Sequence, residues 1–206
     1  MEIKRFEAGQ LMSNGYVVYD REGGDCWLID TGYEPDNFIG FVKEKKLNAL
    51  GIIFSHHHYD HITAGPKVAE ALNCDMYIEK RDFERAKKTL KGGAARLKAF
   101  NAGDEFKAGD IRLVSVLTPG HTKGGVCLVD EGNKLAFTGD TVFAVEIGIT
   151  NLDDGSPEEM AQSCVYIRDN FADDITIHPG HGPSATMKEV KENNPEFKDA
   201  LEYAKR

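Results

Sequence analysis

The chain has 206 residues, of which 41% are hydrophobic and 29% are charged, as in globular proteins with a sizeable core. Its net charge of -9 disfavours general attraction to nucleic-acid phosphates, and no apolar run approaches the ~20 residues that would cross a membrane. We therefore expect a single domain over residues 1–206 that binds neither nucleic acid nor membrane. The amino terminus shows no secretion signal and the four cysteines form no close pair, which favours buried free thiols and a cytoplasmic location.

Apolar runs separated by glycine-rich or polar turns predict a chain dominated by strands, with helices scattered among them. The predicted strands are 2–7, 16–20, 26–30, 50–54, 75–78, 105–107, 111–117, 125–129, 134–137 and 174–178. The predicted helices are 35–46, 66–72, 80–100 with an interruption at two glycines, 157–171, 186–192 and 195–205. This distribution favours an α+β fold with two sheets and helices on their outer faces over a doubly wound parallel sheet.

The stretch Ser55-His-His-His-Tyr-Asp-His61 contains four side chains that can bind a metal, and it follows the buried-strand pattern of 50–54. In an extended segment, residues two apart point the same way, which places His56, His58 and Asp60 on one side. A turn after Asp60 can bring His61 to the same point. A purification tag would be terminal, so this internal position between a strand and a helix predicts a metal site.

Three later motifs each follow a predicted strand and use glycine to turn the chain. The motifs are Thr118-Pro-Gly-His-Thr122, Phe137-Thr-Gly-Asp-Thr141 and His178-Pro-Gly-His-Gly182. Proline ends the strand ladder and glycine permits the tight turn, so His121 and His181 are presented at strand ends. Asp140 taken alone would be a common turn residue, but beside five placed histidines we interpret it as a ligand.

The candidate metal ligands are therefore His56, His58, Asp60, His61, His121, Asp140 and His181. Seven ligands are more than one tetrahedral zinc takes, and they suffice for two metals that share a bridging ligand. Imidazole and carboxylate suit two divalent ions, with zinc as the first candidate and iron or manganese as alternatives. His57 and His178 are each neighbours of a ligand, and we expect structural roles for them.

The sequence resembles the metallo-β-lactamase superfamily, and most of all its compact glyoxalase II-like metallohydrolases. The resemblance is carried by the motifs above, which span most of the chain in the family's order. It implies an αββα sandwich of two mixed sheets, with His56, His58 and His121 on one metal. It implies Asp60, His61 and His181 on the other metal and Asp140 between the two. Asp30 resembles the family's strand-end acid that accepts the second N–H of a ligand histidine, although a simple turn residue is the alternative.

The resemblance further implies hydrolysis of a thioester or related acyl ester by a hydroxide held between the two metals, with Asp60 orienting it. Two features depart from glutathione-specific members. The chain ends too soon after His181 for their carboxy-terminal helical domain, and the segment 142–152 contains neither their lysine nor their tyrosine. Glutathione recognition is therefore not implied, and substrate-binding residues are not assigned.

Three alternatives to thioester hydrolysis remain open. One is a persulfide dioxygenase-like oxidoreductase that uses a single iron on His56 or His58, His121 and Asp140. Relatives of that kind often lack a full second metal site. Another alternative is a lactonase, and the third is a scaffolding relative, although such proteins usually lose ligands.

The segment 80–98 is the one strongly basic stretch, with eight basic residues and two acidic ones. We expect it to overhang the metal site and to attract an anionic small-molecule substrate by long-range electrostatics. A solvated helix face is the alternative. The glycine pair 92–93 would let such a cap bend, because glycine tolerates conformations that other residues avoid.

Overall fold

The computed structural model describes residues 1–205, which form two six-stranded mixed sheets and the helices that cover them. The first sheet contains β1 (Glu2–Ala8), β2 (Ser13–Tyr19), β3 (Asp25–Ile29), β4 (Asn48–Ile53), β5 (Asp75–Glu79) and β6 (Leu97–Phe100), in that order. The second contains β7 (Glu105–Ala108), β8 (Ile111–Leu117), β9 (Val126–Asp130), β10 (Leu135–Gly139), β11 (Thr176–Pro179) and β12 (Ala185–Thr186), also in chain order.

The helices lie on the outer faces of the two sheets. They are α1 (Pro35–Glu44), α2 (Tyr59–Ile62), α3 (Gly65–Leu72), α4 (Phe83–Leu90), α5 (Pro157–Asn170), α6 (Met187–Asn193) and α7 (Pro195–Tyr203). Helices α1, α3 and α4 pack on the first sheet, and α5, α6 and α7 pack on the second. Two helix layers and two sheets thus make four layers, in agreement with the prediction of two sheets with helices on their outer faces.

Strand β2 shows how the layers follow from the sequence, since all of its residues are buried. Side chains alternate along a strand, so Tyr16 and Val18 enter the core between the sheets while Val17 and Tyr19 face the outer helices. A strand buried on both faces needs apolar side chains on both, which is why residues 16–19 form a continuous apolar run.

The prediction of one interrupted helix over 80–100 is wrong in its second half. Helix α4 ends at Leu90, a 3₁₀ segment covers Lys91–Arg96, and β6 pairs in parallel with β5. The glycine pair stops the helix, and Leu97 and Phe100 are then buried in the two cores as parts of a strand. Basic residues around this strand concealed it, because edge strands carry charged side chains that read as a helix surface.

Strand direction brings several loops to one edge of the sandwich. Strands β3, β4 and β5 are parallel, so their carboxyl ends meet at one edge of the first sheet. Strand β10 is parallel to β11 and two antiparallel steps from β8, so these three also end at a common edge. Backbone bonds from Asn14 to Gly180 and from Val126 to Ser55 join the two edges. Within residues 1–205, no helix combines the length and apolar character needed to span a bilayer.

Candidate metal centre

The predicted ligands all leave the strand ends at this shared edge. His56, His58, Asp60 and His61 follow β4, while His121, Asp140 and His181 follow β8, β10 and β11. The first sheet thus contributes four of them and the second contributes three. All but His58 and His181 are buried, and those two are partly exposed toward solvent.

The local geometry of the histidine-rich stretch differs from the extended segment that the sequence suggested. Strand β4 ends at Ile53, and His56 and His58 lie in the loop that follows it. Asp60 and His61 then belong to the short helix α2, and a turn of helix rather than strand alternation sets their directions. A hydrogen bond from Ser13 Oγ to the carbonyl of Asp60, 2.8 Å long, fixes that helix to β2.

One group of candidate ligands consists of His56, His58 and His121, whose ring nitrogens lie within 4.8 Å of one another. The shortest separation is 2.8 Å, between His58 Nδ1 and His121 Nε2. Asp140 Oδ2 lies 3.4 Å from His121 Nε2 and 4.0 Å from His56 Nε2. These four donors converge on one point.

The other group consists of Asp60, His61 and His181. His61 Nε2 and His181 Nε2 are 3.3 Å apart, and Asp60 Oδ2 lies 3.3 Å from the first and 3.4 Å from the second. Asp140 belongs to this group too, with Oδ1 3.4 Å from His61 Nε2 and Oδ2 3.3 Å from His181 Nε2. Asp140 is therefore the one carboxylate that both groups share.

The donor atoms fit two metal ions. His56 Nε2 and Asp140 Oδ1 are buried atoms with no hydrogen-bond partner, an expensive arrangement unless another group binds them. Donors bound tetrahedrally at zinc–ligand distances of 2.0–2.1 Å are about 3.3–3.4 Å apart, close to most separations observed here. Imidazole and carboxylate donors suit zinc, iron and manganese alike, so the donor set leaves the element open.

Asp30 lies where it can orient a ligand histidine. Its Oδ2 accepts a hydrogen bond from His61 Nδ1 at 3.1 Å, which leaves Nε2 of that ring facing the metal site. The backbone N–H and hydroxyl of Ser55 donate to the same carboxylate at 2.7 Å each. Asp30 has a φ of 50°, so β3 turns sharply at its end to bring this side chain under the site.

Two buried acids near the centre were not predicted from the sequence. Asp82 accepts hydrogen bonds from the backbone and ring of His57 and from Thr122 Oγ1, which ties the histidine-rich loop to the His121 loop. Asp154 lies with His57 and His58 in a third cluster within 4.8 Å. Asp82 could have been found, because it follows the end of the predicted strand 75–78 as the ligands follow theirs.

Burial lowers the pKa of the histidines in the centre, whereas hydrogen bonds with carboxylates raise it. Burial holds the pKa of His56 well below its usual range and lowers that of His58 to about 4, with neighbouring histidines adding to both effects. Burial also opposes the charged form of His181, but hydrogen bonds with Asp140 and Asp60 outweigh it and raise this pKa to about 10. The pKa of Asp60 stays below its usual range, since hydrogen bonds from His181 and His61 outweigh its burial.

The other two histidines, for which we expect structural roles, each contact a neighbouring side chain through Nδ1. His57 Nδ1 contacts Asp82 Oδ2 at 3.0 Å, and His178 Nδ1 pairs with Ser184 Oγ at 3.0 Å. The four cysteines are free and buried, and burial raises the pKa of each thiol to between about 11 and about 12. They therefore stay protonated at neutral pH.

The basic segment does not overhang the pocket at the metal centre. That pocket has a volume of about 390 Å³, and no lysine or arginine of residues 1–205 lines it. Arg85 pairs with Asp154, with Nε 3.3 Å from Asp154 Oδ2. Lys87 and Lys98 pair with Glu84 and Asp75 on the surface. The overhang expected from the sequence is wrong, because the segment continues into β6 instead of crossing the site.

Comparisons with known proteins agree with this architecture. The family model of the metallo-beta-lactamase superfamily matches residues 8–181. A protein of Mycobacterium leprae described as uncharacterised is 31% identical over 95% of this chain and 98% of its own length. A probable polyketide biosynthesis zinc-dependent hydrolase of Bacillus velezensis, BaeB, is 29% identical over 95% of this chain and 86% of its own length. The crystal structure of TTHA1623 in a di-iron-bound form superposes with a TM-score of 0.80 at 26% identity, covering 93% of this chain and 98% of that one.

The chain therefore belongs to the metallo-beta-lactamase superfamily, and the four-layer sandwich is that superfamily's fold. The chain is a metal-dependent hydrolase of this superfamily and acts on small molecules. The cluster of histidines and aspartates at the edge of the sandwich can hold the metal.

Proposed function

We propose that the chain is a binuclear metalloenzyme that hydrolyses a thioester or related acyl ester. His56, His58 and His121 would hold one ion, Asp60, His61 and His181 the other, and Asp140 both. The observation that carries the proposal is the shared carboxylate, whose oxygens lie 3.3–3.4 Å from His61, His121 and His181. A mononuclear site would need neither the second group nor a residue placed between the two.

The relatives support a metal-dependent hydrolysis without naming this chain's substrate. BaeB is described as a zinc-dependent hydrolase, and TTHA1623 as a di-iron-bound form. We propose zinc as the first candidate, with iron or manganese as alternatives, because the donor set accepts all three. Bound divalent cations would lower the pKa of a water molecule and polarise the acyl carbonyl.

The residues of the chain would bind, orient and release the reactants. Asp60 lines the pocket and, as a carboxylate, would accept a hydrogen bond from the attacking water and aim its lone pair at the carbonyl carbon. A thiolate is a good leaving group, so thioester cleavage needs no dedicated general acid. The buried, protonated cysteines offer no nucleophile for a covalent route.

Thiol release and oxygen uptake, measured on the same metal-replete preparation, test the proposal. We expect S-lactoylglutathione or simpler acyl thioesters to be hydrolysed without oxygen consumption, with two metals per chain by elemental analysis. Rapid iron-dependent oxygen uptake with glutathione persulfide would replace the hydrolase with a dioxygenase. A stoichiometry fixed at one metal, even after incubation with excess zinc or iron, would remove the binuclear assignment.

A further inference from the structure

Exposed apolar side chains are concentrated at the mouth of the metal pocket. Nine large apolar residues are exposed within the described part of the chain, and four of these line this one pocket: Leu11, Tyr59, Ile149 and Leu152. Each has between 43% and 57% of its surface exposed. Phe143 and Ile147 add partly buried walls. Apolar surface gathered around a concave polar centre is typical of ligand-binding sites.

Two of these apolar residues are hydrogen-bonded through their backbone carbonyls to candidate metal ligands. The carbonyl of Leu11 accepts a hydrogen bond from His181 Nδ1 at 3.0 Å. The carbonyl of Ile149 accepts one from His121 Nδ1 at 2.7 Å. The same bonds that orient the two rings therefore set the positions of the two side chains relative to the reacting centre.

Residues 143–147 precede Ile149 and Leu152 in the same loop, and side chains near the carboxy-terminal helices bind their backbone. Asn194 is fully buried, and its Nδ2 donates to the carbonyls of Phe143 and Glu146 at 3.1 and 2.8 Å. Glu196 Oε2 accepts from the backbone N–H of Ile147 at 3.0 Å. These contacts anchor the wall to the junction of α6 and α7, so it is formed before a substrate binds.

The charges of the pocket disfavour an anionic substrate tail. Apart from the candidate metal ligands, Glu146 is the one ionisable acid among the lining residues, and lysine and arginine are absent from the lining within residues 1–205. A glutathione moiety would bring its carboxylates to this surface, where no lysine or arginine side chain of residues 1–205 lines the pocket to pair with them. Repulsion by Glu146 would add to the cost of removing them from water.

We propose that the substrate carries an uncharged apolar acyl group, which packs against Leu11, Ile149 and Leu152 while its carbonyl carbon faces the water that Asp60 would orient. This inference rests on the proposed hydrolysis of an acyl ester and names its substrate class. It replaces the anionic substrate expected from the sequence, because the basic segment that suggested an anion lies outside the pocket. The driving force is burial of apolar surface.

The first experiment measures kcat/KM for a series of straight-chain thioesters of the neutral thiol N-acetylcysteamine, from acetyl to octanoyl. Burying one methylene is worth ~0.8 kcal/mol, so each added methylene should raise kcat/KM by about two- to fourfold until the pocket is filled. The hexanoyl ester of N-acetylcysteamine should also be hydrolysed faster than hexanoyl-glutathione. A flat series, or a preference for the glutathione ester, would overturn the inference while leaving ester hydrolysis intact.

Variants separate the pocket wall from the loop that carries it. Ile149→Ser and Leu152→Ser should flatten the chain-length series, with a larger loss of kcat/KM for the octanoyl ester than for the acetyl ester. Val145→Ser is the matched control, because Val145 is 56% exposed on the same loop but does not line the pocket. Equal slopes in all three variants and the unmodified protein would show that the apolar wall does not bind the acyl group.

A binding measurement gives a result that does not depend on turnover. Calorimetric titration with the non-hydrolysable thioether S-octyl-N-acetylcysteamine should show binding with a negative heat-capacity change, weakened about three- to tenfold by Ile149→Ser. Absence of binding would overturn the apolar-acyl inference. If protein with two bound metals hydrolyses no ester of either thiol, the proposed function itself fails and the substrate class fails with it.

Discussion

At the scale of single residues, Asp140 is the point where the two groups of candidate ligands meet. Its pKa lies below the usual range because the charges and hydrogen bonds of His61 and His181 outweigh its burial. The carboxylate is thus ionised, and histidines from both sheets contact it. One side chain therefore connects the two groups of candidate ligands.

Replacing Asp140 with Ala should weaken the binding of both metals by at least about 100-fold, since ligand loss exceeds the 10–100-fold effect of outer contacts. Metal titration followed by gel filtration and elemental analysis measures this. His121→Ala is the control, because it should loosen one metal and retain the other. Two metals bound at unchanged affinity in Asp140→Ala would contradict the shared position.

Asp60→Asn should lower kcat by about 10²–10⁴ and change KM little, because orienting a nucleophile matters mainly in the transition state. The amide keeps the shape of the side chain but loses one acceptor oxygen. Steady-state kinetics on protein of verified metal content tests this. A variant with both metals bound and a rate within about threefold of the original would remove Asp60 from the reaction.

His178 should make stability depend on pH. Its burial, with a smaller effect of Arg5, lowers its pKa from the ordinary 6.5 to about 4. The folded chain then binds fewer protons than the unfolded chain between these values, so stability is complete above pH 6.5 and falls as pH drops toward 4. Urea unfolding of the metal-free protein across this range should show a steeper loss than in His178→Asn. Parallel curves would contradict the assignment.

At the scale of elements, the site is formed by the loops that follow the strand ends. Gly180 shows how little room these loops leave. A Cβ at this position would lie 2.1 Å from Asp140 Oδ1 and 2.8 Å from His61 Cε1. The loop after β11 can therefore approach the shared carboxylate only because this residue has no side chain.

Gly180→Ala should displace the Asp140 carboxylate and lower the affinity for both metals, with the fold retained. Gly182→Ala is the matched control two residues away. A Cβ there would meet nothing within 4 Å, so only its φ of 74° would be strained, at about 1–2 kcal/mol. Metal titration and thermal unfolding of the two variants distinguish the effects. Equal metal affinities would show that the Gly180 turn is not constrained by the site.

At the scale of the whole molecule, the candidate metal centre lies at the edge where the two sheets meet. Asn14 Nδ2 and Tyr16 OH of β2 donate to the carbonyl of Pro179 in β11 at 2.9 and 2.7 Å. The candidate ligands add a second connection, because His56 and His61 come from the first sheet and His121 and His181 from the second. Bound metals would therefore hold the sandwich closed at this edge.

Removing the metals should lower global stability as well as activity. A ligand present at 100 times its dissociation constant stabilises the folded state by ≈2.7 kcal/mol per site, which corresponds to a drop in Tm of about 5–10 °C on its removal. Thermal unfolding with and without a chelator, followed by metal add-back, measures the effect. An unchanged Tm in protein shown to have lost both metals would contradict the cross-link.

The sequence by itself singled out the candidate ligands and predicted the layered fold. His56, His58, Asp60 and His61 lie within six residues, so their convergence needed only a strand end and a turn. His121, Asp140 and His181 could be selected because proline and glycine mark where a strand stops. Predicted strands dominate both halves of the chain and the helices are scattered among them, which favoured two sheets with helices on their outer faces.

Tertiary structure alone decided the surroundings of the site. Asp82 reaches His57 and Thr122 from a helix start inside the basic segment, and no local pattern specifies such a distant contact. The same segment turned into β6 because Leu97 and Phe100 fill cores made by other strands. Leu11 and Ile149 come together across a separation of more than a hundred residues, so the apolar mouth exists only after the two sheets have packed.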